Sequence, residues 1–124
     1  MTELAQTQTT DISGDDINPF LSKTREGFSV TIDAANLTAA DVGGSFPGVL
    51  RKGFPLGVAA DGVTYEKKDD ADLEGLLSES LRVKSATSVV HAALCLEAVV
   101  DESLLPVAIT QPGKDAVAGR ITFR

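Results

Sequence analysis

Glycines divide the middle of this chain at intervals that are too short for helices. Gly48, Gly53, Gly57 and Gly62 follow one another every four to five residues. Such spacing interrupts helical hydrogen bonding, whereas short strands, bends and bulges accept glycine. Asp61 and Gly62 together form a dipeptide that is frequent in tight hairpin turns. The middle of the chain is therefore expected to consist of short strands joined by turns.

Apolar residues alternate with polar ones on the N-terminal side of this region. Phe28, Val30 and Ile32 alternate with polar neighbours, which predicts a half-buried strand over residues 27–33. The longest apolar stretch covers residues 89–100 and has β-branched residues at both ends. Those ends favour a buried strand, with a helix through the central alanines as the alternative.

The remaining segments are short and bounded by turn residues. Thr38 and Asp41 have the spacing of a capping box, so one helical turn is expected there. Strands are predicted at residues 107–110 and 121–123, with a turn at residues 111–114 between them. Together these elements predict an all-β fold. We expect a small antiparallel β-barrel or sandwich of short strands, with one or two short helical turns and an extended N-terminal arm.

The N-terminal segment differs in composition from the rest of the chain. Residues 1–19 contain four acidic residues, no Lys or Arg, and few apolar residues. A segment of this kind buries too little surface to offset the entropy lost on ordering. We therefore expect a flexible arm at residues 1–26 and a β-rich domain at residues 27–124. The arm either has no role or becomes ordered on a partner surface.

Length and charge narrow the possible classes of function. A chain of 124 residues can bury the core of one domain without disulfides. Its net charge of -7 argues against direct nucleic-acid binding, which requires clustered Lys and Arg. No apolar run approaches the ~20 residues that span a bilayer, so we expect no membrane partner. The first residues are neither basic nor apolar, so we also expect no signal peptide.

Residue types that perform catalysis are scarce. His91 is the only histidine of the chain and Cys95 the only cysteine. In a strand they would lie ~13 Å apart, too far for the imidazole to activate the thiol, whereas a helix would bring them close. A lone histidine is more often structural, and a cysteine between two leucines is typical of a core. We therefore expect no catalytic residue.

Acidic residues are densest between residues 66 and 80. Asp69, Asp70, Asp72 and Glu74 are carboxylates of the kind that hold hard cations. Their spacing lacks the glycine and the bidentate glutamate of an EF-hand loop, and a charge run more often forms a solvated surface. We therefore expect no metal and no cofactor. A metal-assisted hydrolase using these four residues is the least favoured alternative.

Several short motifs follow one another in a characteristic order between residues 27 and 106. They are GFSVTID (27–33), GVLRKGFPLG (48–57), EGLL (74–77), AAL (92–94), EAVV (97–100) and LLP (104–106). This order resembles the head decoration (capsid-stabilising) proteins of tailed bacteriophages, the group that includes the lambda-type decoration protein. The resemblance implies a non-enzymatic virion protein on the outer capsid surface. Such proteins form trimers at three-fold and quasi-three-fold positions and cement capsomers against internal pressure.

The resemblance also implies partners and contact surfaces. The major capsid protein and two further copies of the chain would be the partners, with no direct contact to nucleic acid. Because exposed apolar patches mark interfaces, two apolar sets are candidates for these contacts. They are Pro19, Phe20, Leu21 and Phe28 for the capsid, and Phe54, Pro55 and Leu56 for the trimer. A small all-β tail or adaptor module that binds elsewhere on the particle is the alternative.

Overall fold

The computed structural model describes residues 17–124, except for the side chains of Glu26 and Phe28. Over this range the chain is mostly β-sheet, which confirms the predicted all-β class. The strands are β1 (Phe20–Asp33), β2 (Gly48–Leu50), β3 (Pro55–Val58), β4 (Tyr65–Lys67), β5 (Gly75–Leu77), β6 (Leu81–Val83), β7 (Val89–Val100) and β8 (Ile121–Phe123). One helix, α1 (Gln111–Ala116), and the 3-10 turns Ala34–Asn36, Ala39–Val42 and Glu102–Leu104 complete the described elements.

Five of the strands close into a ring. Their order is β1-β4-β3-β5-β7, and β7 pairs again with β1. Most pairings are antiparallel, as predicted, but β1 pairs with β4 in parallel and β7 pairs with β8 in parallel. β2 and β6 form a separate two-stranded antiparallel sheet. The result is a small barrel with β8 attached to the C-terminal half of β7.

The first strand is longer than the apolar alternation predicts. β1 begins at Phe20 and pairs with β7 from Phe20 opposite Val100 to Asp33 opposite Val89. Residues 20–26 lack an apolar period, but strand pairing needs only main-chain groups. Four register shifts interrupt this half of the strand, and such bulges commonly protect a sheet edge. Residues 20–26 thus belong to the sheet, although we expected an arm up to residue 26; residues 1–16 lie outside the described range.

The centre of β7 is buried on both faces. Leu94 and Leu96 of β7 pack into a core cluster inside the ring, together with Ile32 and Leu56. Cys95 belongs to a second cluster that includes Leu76 of β5, Ile121 of β8 and Val117, the residue after α1. Because both faces are covered, residues 89–100 read as a continuous apolar run rather than an alternating one. The prediction of a strand over this stretch is confirmed.

The segment after β7 differs from its prediction. Residues 107–110 form no strand, and α1 replaces the turn that was expected at residues 111–114. The Thr110 backbone amide and hydroxyl both donate to the carbonyl of Asp69, at 3.0 and 2.8 Å, so this segment is held outside the sheet. The same hydroxyl accepts from the Gly113 amide at 3.3 Å and caps the helix. The predicted strand at residues 121–123 is confirmed as β8.

Candidate interaction surface

A surface groove of about 400 Å³ opens where three separate parts of the chain meet. These parts are Ile17, which precedes β1, a set of residues between 40 and 54, and residues 103–107. The lining is largely apolar and includes Val49, Leu104 and Val107. Concave sites with apolar walls and a few polar groups are the usual places where proteins bind other molecules. The groove is therefore the candidate functional surface of the described chain.

Gly53 brings the three parts of the chain together. Its φ is +91°, and its amide donates to the carbonyl of Leu77 at 2.7 Å. A Cβ at this position would lie 2.8 Å from Cγ of Pro19, 3.2 Å from Cδ2 of Leu105 and 3.3 Å from Cδ of Pro106. Glycine alone permits both the left-handed backbone and this close approach. The packing of Pro19, Leu105 and Pro106 around residue 53 thus depends on the absence of a side chain there.

The four residues predicted to touch a capsid divide into buried and exposed ones. Pro19 and Phe20 are buried, and the Pro19 carbonyl accepts from the Asp101 amide at 2.7 Å. Leu21 is 59% exposed, and the Phe28 side chain lies outside the described part of the structure. Pro19 and Phe20 therefore hold the start of β1 on the barrel, while Leu21 presents an apolar side chain at the surface.

The three residues predicted to form a trimer contact lie inside a single chain. Phe54, Pro55 and Leu56 are all buried, with Phe54 also reaching the wall of the groove. We selected them as exposed apolar residues, and the structure corrects that premise. They start the ring strand β3, which is paired with β4 on one side and β5 on the other. Their side chains fill the core rather than the surface.

Other exposed apolar residues were missed. Ile17 is 52% exposed and Leu104 is 41% exposed, and both line the groove. Val63 is 74% exposed at the turn between β3 and β4. The signal for Leu104 was its position after the polar run at residues 101–103; it ends the 3-10 turn Glu102–Leu104, which has no buried residue. The signal for Val63 was its position directly after the Asp61–Gly62 turn dipeptide.

Positively charged groups stand at one side of the groove. Among the described residues that line it, Arg51 and Lys52 are basic and Asp41 is acidic. The Lys52 ammonium is 3.5 Å from the carboxylate of Glu79, which also accepts a hydrogen bond from Lys23 at 2.9 Å. That bond from Lys23 and the nearby charge of Lys52 hold the pKa of Glu79 below its usual value. One of the two basic residues of the groove lining is thus ion-paired with a carboxylate next to it.

The two candidate catalytic side chains are not brought together. His91 is exposed on β7, with Nδ1 3.3 Å from the Thr31 hydroxyl. Cys95 is buried, and its Sγ lies 3.6 Å from the Arg25 carbonyl oxygen. Four residues of strand separate them by ~13 Å. The imidazole is therefore too distant to activate the thiol.

The acidic segment is held by local contacts. The carboxylate of Glu66 pairs with the Lys68 ammonium at 3.1 Å, and this hydrogen bond raises the pKa of Lys68. Burial raises the pKa of Tyr65, and a hydrogen bond with Glu74 adds to the effect. Within residues 17–124, no three His, Cys, Asp or Glu side chains are grouped so that they could hold a metal ion.

Comparison of the chain with protein-family models, with curated proteins and with solved structures found no significant match. No helix within residues 17–124 is both long and apolar enough to cross a membrane. The features that suggest a role are therefore those of the surface itself: an apolar groove with positive charge at its side, and exposed apolar residues next to it.

Proposed function

We propose that this chain is a structural virion protein that binds the outside of a bacteriophage capsid. It binds as a homotrimer at three-fold and quasi-three-fold positions and cements neighbouring capsomers against internal pressure. Its partner is the major capsid protein, and its location is the outer surface of the virion. The proposal includes no enzymatic activity, no cofactor and no direct contact with nucleic acid or membrane.

The observation that carries the proposal is the exposed apolar surface around the start of β1. Ile17 and Leu21 are exposed on either side of Pro19 and Phe20, which are buried and fix this segment to the barrel. Apolar side chains on a fixed backbone lose little entropy on binding, and exposed apolar patches mark protein interfaces. This surface supports a protein-binding role, and the order of the sequence motifs supports the choice of a capsid.

Trimer formation would multiply the strength of a weak contact. Three copies of the surface around Leu21 would meet three capsid subunits at once, and linked contacts of this kind raise affinity by about 10²–10⁴-fold. The net charge of -7 on each chain would keep unbound trimers apart in solution before they meet a capsid. Both features suit a protein that is added to a completed shell.

The test is binding of the purified protein to expanded capsids assembled from the candidate major capsid protein. We expect co-sedimentation, with added density at every three-fold and quasi-three-fold position in electron cryomicroscopy. Leu21→Ser should weaken binding by about tenfold or more, which is the usual scale of an interface hot spot, without lowering the unfolding temperature. Val63→Ser is the matched control, because Val63 is also exposed but lies on the β3–β4 turn.

The proposal would be contradicted by a folded protein that does not bind capsids, by a protein that stays monomeric at all concentrations used for binding, or by equal losses for the two variants. Density confined to a single vertex or to the tail would contradict it as well, and would favour the adaptor module.

A further inference from the structure

Residues 109–124, which we call the strap, cover one outer side of the barrel. They contain α1 and β8, and they follow residues 105–108, which form neither helix nor strand. Each of the five ring strands has two neighbours in the ring, whereas β8 is paired only with β7 within residues 17–124. The ring is therefore closed without the strap. We propose that the strap opens as one unit while the ring stays folded.

Side-chain packing separates the strap from the interior of the ring. Of the described residues, those that form the core cluster inside the ring include none from the strap. Ile109, Val117 and Ile121 of the strap pack instead into the second cluster, together with ring residues that include Leu76 and Cys95. Opening of the strap would thus leave the packing inside the ring unchanged.

The orientation of Cys95 shows that this outer side of the ring has a cover. Its neighbours Leu94 and Leu96 belong to the ring interior, so the alternation of a strand turns Cys95 outward. Cys95 is nevertheless fully buried. Leu76 of β5 repeats the pattern, because the adjacent Leu77 belongs to the interior and Leu76 is also fully buried. The strap shares the cluster of Cys95 and Leu76 and provides their cover.

Polar contacts fasten the strap near its two ends. At the start, the Thr110 hydroxyl donates to the carbonyl of Asp69 in a solvent-exposed bond of 2.8 Å. Near the end, Nη1 of Arg120 donates to the carbonyls of Glu74 and Leu96, at 3.1 and 3.0 Å. Segments with few buried contacts and exposed hydrogen bonds unfold locally at a lower free energy than the core. A short helix and a short edge strand held in this way are therefore expected to detach before the ring unfolds.

The open form presents two features that the closed form hides. The ring residues of the second cluster, which include Phe20 and Val100, lose their apolar cover. Residues 98–100 of β7 lose the strand that pairs with them on one side, and a free strand edge accepts other strands. The strap therefore conceals a face that is suited to binding until it opens. Opening occurs in the free protein, so the presence or absence of capsid binding has no bearing on it.

Native-state hydrogen–deuterium exchange of the full chain tests the proposal. The amides of Thr110 and Ala98 report on the strap, because they donate to Asp69 across its start and to the carbonyl of Arg120 within it. The amides of Gly53 and Leu77 report on the ring. The strap amides should exchange at least about tenfold faster than the ring amides, and both strap amides should show the same dependence on urea concentration.

Two matched variants show whether the strap opens separately. Ile32→Val shortens a side chain of the ring interior, and Ile121→Val shortens one of the strap. Ile32→Val should speed exchange of the ring amides about two- to tenfold and leave the strap amides unchanged, because its contacts are the same in the closed and the strap-open forms. Ile121→Val should speed both sets alike, because its contacts are lost both in the strap-open form and in the unfolded chain.

Two results of these exchange measurements would overturn the proposal. Equal acceleration of both sets of amides by Ile32→Val would mean that the strap and the ring unfold together. Different urea dependences for Thr110 and Ala98 would mean that the segment frays residue by residue and does not open as one unit.

The Cys95 thiol gives an independent readout. It is buried in the cluster that the strap covers, so a thiol reagent should reach it only in molecules whose strap has unfolded. Slow labelling of the native protein should therefore be accelerated about two- to tenfold by Ile121→Val and not by Ile32→Val. Equal acceleration by the two variants would overturn the proposal.

Discussion

Replacing Gly53 with alanine tests whether three parts of the chain really meet at this residue. Two separate costs are expected. The first is backbone strain, since an L-residue in the left-handed region costs about 1–2 kcal/mol. The second is overlap, because the new Cβ would lie 2.8 Å from Cγ of Pro19. Proline is a stiff ring, so the contact cannot be relieved by a rotamer change alone.

A second glycine separates these two costs. Gly119 has a φ of +87°, close to the +91° of Gly53, but a Cβ there would meet nothing within 4 Å. Gly119→Ala should therefore cost only the backbone strain, about 1–2 kcal/mol. In both variants alanine also lowers the entropy of the unfolded chain, which reduces the net destabilisation. Gly53→Ala should cost about 1–3 kcal/mol more, the range for overpacking a close-packed site.

Urea unfolding followed by circular dichroism gives both values on the same scale. The comparison requires that the unfolding free energy falls equally steeply with urea concentration in both variants. Only then does a shifted midpoint report a change in stability alone. Equal destabilisation of the two variants would refute the reasoning, because it would mean that Pro19, Leu105 and Pro106 do not pack against Gly53.

Three further predictions concern a carboxylate, a thiol and a turn. Because the pKa of Glu79 is lowered in the fold, its ion pairs stabilise the protein above the unfolded pKa and lose that effect as pH falls through the folded pKa. Glu79→Gln should therefore lower the unfolding free energy by less than about 1 kcal/mol near neutral pH and leave it unchanged in acid. Equal losses at the two pH values in urea titrations would contradict this. Cys95 should react with a thiol reagent only after unfolding, and rapid native labelling would show that it is not buried. Thr38→Ala should lower the unfolding free energy by about 1 kcal/mol through loss of the capping box with Asp41, and an unchanged urea midpoint would argue against that cap.

Local patterns in the sequence predicted the elements that rest on short-range chemistry. The capping box at Thr38 and Asp41 formed as expected, because both hydrogen bonds join residues three apart. The turn at Gly62 formed for a similar reason, since its φ of +73° suits glycine. The strand over residues 89–100 was identified from its β-branched ends. In each case the contacts that form the element lie within the segment, or the apolar residues of the segment indicate that it is buried.

The candidate surface could not be predicted in the same way. It joins Ile17, residues between 40 and 54, and residues 103–107, which are far apart in the sequence and meet only in the folded chain. Whether an apolar residue is covered depends on the strands beside it, so Phe54 and Leu56 looked like surface residues until β4 and β5 were placed. The strand at residues 20–26 was missed because its pairing with β7 relies on main-chain groups, which every sequence provides.

Pairing of β1 with β7 has a consequence for synthesis on the ribosome. The two strands that close the ring are residues 20–33 and 89–100, so β1 has no antiparallel partner until most of the chain has been made. Translation at about 5–20 residues per second leaves it waiting for several seconds, and a strand without its partner is an aggregation hazard during that time. Polar residues at 22–26 and the irregular register of this strand would make the nascent chain a poor template for other edges. Closure of the barrel is therefore a late event that follows emergence of residue 100 from the ribosome.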